Sequence, residues 1–150
     1  MDNVTTQKIL FEIGQIDELI HEASPLFDLC KIKEPDFVER CGTAMILHSF
    51  YNGIENILLL IIKNKESVLP KGIKWHKELF AQAFEATENR SQIFREDLKE
   101  SLNDYLQFRH FVRHSYGFQL KWEKMKNMLF GMNTMWENIK EDIHLFIKNN

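Results

Sequence analysis

The chain has 150 residues, enough for one domain of ordinary size with a core that needs neither disulfides nor a structural metal. Hydrophobic residues make up 44% and charged residues 27%, a globular composition that excludes a wholly disordered chain. The 19 Lys+Arg against 22 Asp+Glu leave a net charge of −3, which excludes a protein basic all over, so any nucleic-acid contact must be local. Cys30 and Cys41 are too few for a disulfide scaffold, and the start MDNVTTQKILFEIG lacks the apolar stretch of a secretory signal. The longest purely aliphatic run, Ile57 to Ile62, is far short of the ~20 residues that span a bilayer. A reducing cytoplasm, without membrane insertion, is the expected setting.

In chain order, Ile9, Ile13, Ile16, Leu19, Ile20 and Ala23 recur at helical spacing with Lys8, Glu12, Gln15 and Glu18 between them. This pattern predicts an amphipathic helix over about 5–23, with Thr5 or Thr6 as N-cap and Pro25 ending or bending it. Leu26, Phe27 and Leu29 anchor a connector. Pro35 suits the first turn of a second helix that runs to about Asn64, roughly 42 Å at 1.5 Å per residue. Its second half is apolar on most sides, which requires a central place in a bundle or cover by a partner chain. Pro70 and Gly72 mark a loop. A third helix is predicted over about 74–87, a turn at Asn89–Ser91, a fourth helix over about 92–114 and a fifth over about 120–147. Met125, Met128, Met132 and Met135 follow helical spacing on the last, as core or dimer surface. With no β-strand pattern, the expected fold is all-α: one domain over 1–150, an up-and-down bundle of about five helices.

One stretch carries more than bundle chemistry: Phe108-Arg109-His110-Phe111-Val112-Arg113-His114-Ser115-Tyr116-Gly117. On a continuous helix Arg109, Arg113 and Tyr116, at i, i+4 and i+7, share a face. If the helix frays at Ser115–Gly117, His114 swings towards the same cleft. Arginine can hold a phosphate at two points and stabilise charge as it builds, and histidine can move a proton near neutral pH. From Arg109 to Lys126 there are five basic residues (Arg109, Arg113, Lys121, Lys124, Lys126) against Glu123, a local +4. The spacing alone equally fits basic residues that complement a helix C-terminus. His110 and His114, at i, i+4, have the spacing of two zinc ligands, but no third ligand is apparent and no metal is expected.

Arg109-x4-His114-x-Tyr116 resembles the Arg-x4-His-x-Tyr signature of the HEPN superfamily, and within it the HepT-like ribonuclease toxins. Three longer blocks agree, in family order. LHSFYNGIENILL (Leu47 to Leu59) resembles the long central helix, with Tyr51 and Glu55 in familiar places. KWHKELF (Lys74 to Phe80) resembles a Trp-His helix start. DYLQFRHFVRHSYGFQLKW (Asp104 to Trp122) resembles the catalytic block and its exit.

The resemblance implies a homodimer whose two motifs face each other across a cleft, and RNA cleavage without metal or cofactor. The RNA 2′-OH attacks its own phosphate and leaves a 2′,3′-cyclic phosphate. His114 is then the acid/base, and Arg109 binds the scissile phosphate. A minimal nucleotidyltransferase antitoxin is implied as partner, silencing the toxin by moving AMP onto Tyr116. Arg113, His110 and Lys121 are expected at the RNA or phosphate, with Arg113 alternatively a solvated charge. Glu55, beside Tyr51 on one face, either orients the motif arginine or histidine or makes an ordinary inter-helix ion pair. His76 is expected to bond at its helix start, and His21, His48 and His144 to be structural. A different reading makes the chain a non-catalytic subunit that presents a substrate to a nucleotidyltransferase. The intact Arg109/His114/Tyr116 set favours the enzyme.

Overall fold

The computed structural model describes residues 1–150 as five α-helices and no strand: α1 (Asn3–Ile32), α2 (Phe37–Glu66), α3 (Trp75–Ala83), α4 (Lys99–Arg113) and α5 (Trp122–Asn149). Short 3-10 turns at Glu96–Leu98 and Gly117–Gln119 lead into α4 and α5. The all-α expectation holds.

Several boundaries differ from the sequence reading, each for a visible reason. Asp2, not Thr5 or Thr6, caps α1 by accepting the Thr5 backbone N–H at 2.8 Å. Pro25 does not end α1, which runs on to Ile32. Proline removes the N–H that would reach the carbonyl four residues back, but the Ser24 hydroxyl donates to that carbonyl, His21 O, at 2.7 Å. Pro35 lies just outside α2, because Asp36 is the N-cap and forms a reciprocal capping box with Glu39.

The third and fourth helices are shorter than expected. Arg90, buried beside Glu66 at 3.0 Å, donates to the carbonyls of Gln82, Glu85 and Ser91. Ala83 O accepts from both Ile93 and Phe94. These bonds satisfy the end of α3 and hold residues 84–95 in a non-helical path, with Ile93 and Phe94 as buried anchors. Ser91 is therefore not an N-cap. Arg95 ties this path to α5 through the Asp142 carboxylate, and α4 begins only at Lys99.

α2 packs against all four other helices and is the axis of the bundle. It is long and apolar enough to cross a membrane by length and composition, yet more than half of that window is buried inside the protein, as a central helix requires. One continuous core runs from Ile9 on α1 through Phe50, Ile54, Ile57 and Ile61 on α2 to Trp136 and Ile143 on α5. The methionine stripe of α5 is core: Met125, Met128, Met132 and Met135 are all buried within one chain. α1 and α5 are joined at their faces by Asp17, which accepts from the Trp136 indole at 2.7 Å and from Lys140 at 3.0 Å.

Candidate functional site

Polar side chains on an otherwise apolar central helix need partners, because an unpaired buried polar group costs free energy. α2 places His48, Asn52 and Glu55 one turn apart, a polar rail facing α4. Glu55 is 3% exposed and Arg109, from α4, is 9% exposed. The Glu55 Oε1 lies 3.3 Å from Arg109 Nε, and Asn52 Oδ1 accepts from the same Nε at 3.4 Å. Glu55 Oε2 accepts from Nδ1 of His76, at the start of α3, at 2.7 Å. One buried carboxylate on α2 thus joins α3 and α4, which meet only in the fold. Neither Nη of Arg109 makes a hydrogen bond within the chain, so both remain for a ligand.

The rail continues to His48. Arginine can only donate, so Asn52 turns its oxygen to Arg109 and its Nδ2 to His48 Nδ1, at 3.5 Å. Burial holds the His48 imidazole below its ordinary range, and the positive charges of Arg109 and Arg113 add to that effect. Burial pushes the Tyr51 phenol far up, with Glu55 contributing in the same sense. Tyr51 is therefore a neutral wall of the rail.

The remaining motif residues lie at the open end of α4. The helix stops at Arg113, within a residue of the expected end. His114 is its C-cap, with its backbone N–H bonded to Phe111 O at 3.1 Å. His110, Arg113 and His114 are exposed, and the His110 and His114 rings lie 4.7 Å apart. Tyr116 has left the helix for an extended conformation, so it does not continue the Arg109/Arg113 face as a helical residue would. It is 73% exposed and lies parallel to the Phe118 ring at 5.7 Å. Its backbone N–H donates to Gln119 Oε1 at 2.7 Å.

Gly117 matters here for space, not for an unusual backbone angle. A Cβ at this position would come within 3.1 Å of Cys41 Sγ and 3.3 Å of the Phe37 ring, so the turn is pressed against the start of α2. A small cavity of about 190 Å³ lies alongside, lined by Met45, His48, Ser115 and Tyr116 among others.

The local +4 of the sequence is divided in space. Lys121, the N-cap residue of α5, lines a separate groove of about 800 Å³ between α4 and α5. Lys124, Phe111 and Phe118 share that groove, and neither Arg109 nor Arg113 lines it. Within one chain no hydrogen bond joins Arg109 to His114 or to Tyr116. His76 departs from its expected helix-start bond and instead holds Glu55. Asn52 was not singled out by the sequence pattern, although a polar residue between His48 and Glu55 on an apolar helix was the available signal.

A family model described as HepT-like protein matches residues 42–150, which takes in all but the first turn of α2, the whole of α3 to α5 and every residue of the rail and the motif. No curated protein and no solved structure matches the chain at a significant level.

Proposed function

The chain belongs to the HepT-like family of the HEPN superfamily, a toxin-type, ribonuclease-like group, and on that premise we propose that it is a metal-independent endoribonuclease and the toxin of a toxin–antitoxin pair. The observation that carries the reading is Arg109: a buried guanidinium held from behind at Nε, with both Nη groups unpaired. That is the form of a fixed two-point grip for a phosphate.

In this reading Arg109 holds the scissile phosphate and stabilises the charge that builds on its oxygens. The RNA 2′-OH loses its proton to an imidazole and attacks the adjacent phosphorus. The 5′-oxygen of the next nucleotide leaves and takes up a proton, and the chain end is a 2′,3′-cyclic phosphate. His114 is one of the two proton-transfer groups. It has no bonded contact with Arg109 in its own chain, so the complementary role falls to the partner motif of a homodimer. Tyr116, exposed and just beyond α4, is the acceptor for AMP from a minimal nucleotidyltransferase antitoxin. The added phosphate and adenine would place negative charge and bulk beside the RNA site. The setting is cytoplasmic.

The test is direct. The purified chain, without its antitoxin, is incubated with labelled single-stranded RNA in EDTA. Cleavage should persist and leave cyclic phosphate ends. Loss of cleavage in EDTA with rescue by Zn²⁺ or Mn²⁺ would show that a metal takes part, and RNA left intact under all conditions would favour the substrate-presenting subunit.

A further inference from the structure

The His76–Glu55–Arg109 chain has a feature that simple charge pairing does not require. A carboxylate facing an arginine normally closes on it with both oxygens, in a two-bond fork. Glu55 does not. Its Oε1 faces Arg109 Nε at 3.3 Å, while its Oε2 is taken by His76 Nδ1 at 2.7 Å. The His76 ring is itself fixed: the Trp75 ring lies against it at 3.5 Å, and its side chain is only 18% exposed. Glu55 and Arg109 are buried and His76 is largely covered, so the charged donor already beside a Glu55 oxygen released from His76 is the guanidinium of Arg109.

We propose that His76 is a positioning residue that keeps one oxygen of Glu55 occupied, so that Glu55 orients Arg109 without closing a fork on it and the arginine Nη groups stay free for the RNA phosphate. The inference rests on the reading of Arg109 as the phosphate grip. It differs from a purely structural role for His76 in one respect. Removing the imidazole harms the site because Glu55 becomes a competitor for Arg109, and so neutralising Glu55 repairs the harm.

The experiment measures binding of a fluorescent, fully 2′-O-methylated single-stranded RNA, which cannot be cleaved, by anisotropy. His76→Ala should weaken binding about tenfold, the effect of losing one charge-assisted hydrogen bond. His76→Gln, whose amide still donates to Oε2, should keep most of the affinity. The double variant His76→Ala/Glu55→Gln should recover most of the loss, because a neutral amide does not fork a guanidinium. Additive weakening in the double variant, or wild-type binding by His76→Ala, would overturn the proposal. A second readout works without RNA: the side-chain ¹⁵N–¹H signals of Arg109, assigned by their loss in Arg109→Lys. In His76→Ala the Nη signals should separate as rotation about the guanidinium slows. If the wild type neither binds nor cuts RNA, the ribonuclease reading fails, and an Arg109 spectrum unchanged by His76→Ala would sink the positioning role as well.

Discussion

Arg109 is buried against a carboxylate, whereas His114 stands exposed at the end of α4. The two should therefore respond differently to substitution. His114→Ala removes proton transfer worth roughly 10²–10⁴-fold in rate while thermal unfolding stays at the wild-type temperature, because His114 is exposed at the end of its helix. Arg109→Lys should also abolish cleavage, since lysine lacks the planar two-point grip. Arg109→Met goes further and leaves Glu55 as a buried charge. Its cost should approach the roughly 3–5 kcal/mol of a broken buried pair, lessened because His76 stays on the other oxygen. Calorimetry together with a cleavage assay separates the two residues, and equal stability losses would contradict the burial argument. Tyr116 presents a third case. Its phenol is 73% exposed and the Phe118 ring stacks on it, so Tyr116→Phe keeps the ring and removes only the acceptor oxygen. The variant should cut RNA yet take up no AMP from the nucleotidyltransferase and ATP. Intact-mass spectrometry that finds the same AMP-sized addition on both proteins would show that this tyrosine is not the switch.

Among the elements, α1 and α2 form the most extensive pair, and Gly53 lets them approach. A Cβ there would fall 2.6 Å from Ile16 Cγ1, well inside contact distance. Gly53→Ala gains helix propensity but must displace Ile16 and, behind it, the core, a change of the overpacking kind that costs about 1–3 kcal/mol. Denaturant unfolding should show that loss, and Ile16→Ala in the same chain should make the glycine replacement less costly than it is alone. Because Asn52 and Glu55 flank Gly53 on the same helix, a shift of α2 should also reach Arg109. Cleavage should fall more in Gly53→Ala than its stability loss explains.

For the whole molecule, the apolar second half of α2 and the methionine and tryptophan face of α5 are covered largely by the bundle itself, with α2 at its centre. Large apolar side chains are nonetheless left exposed, some of them on the first half of α2. Phe37, Met45, Tyr116 and Phe118, each at least half exposed, gather around the turn that follows the motif. The proposed homodimer places this surface, not the methionine stripe, near its axis. Light scattering at micromolar concentration should report a dimer, and Met45→Glu should shift it to monomer and remove cleavage together. A wild-type monomer that cleaves RNA at full rate would rule out the shared cleft.

The helical class, the five elements and the segment that bears the motif were legible in the sequence because apolar spacing and the Arg109-x4-His114-x-Tyr116 pattern are local properties. So was the suspicion attached to Glu55, since a charge on an apolar helix demands a partner. What the spacing did not reveal was decided by groups distant in the chain. Ser24 repaired the gap at Pro25, and Arg90 stapled residues 84–95 out of helix. The close approach of Gly117 to Cys41 and Phe37 set the turn after α4. The +4 run was a cluster in sequence only, because the chain turns between Arg113 and Lys121 and sends Lys121 and Lys124 to another groove. Above all, the division of Glu55 between His76 and Arg109 exists only where α2, α3 and α4 meet. A carboxylate has two oxygens to place, and which donors reach them is settled by packing, not by any spacing along one helix.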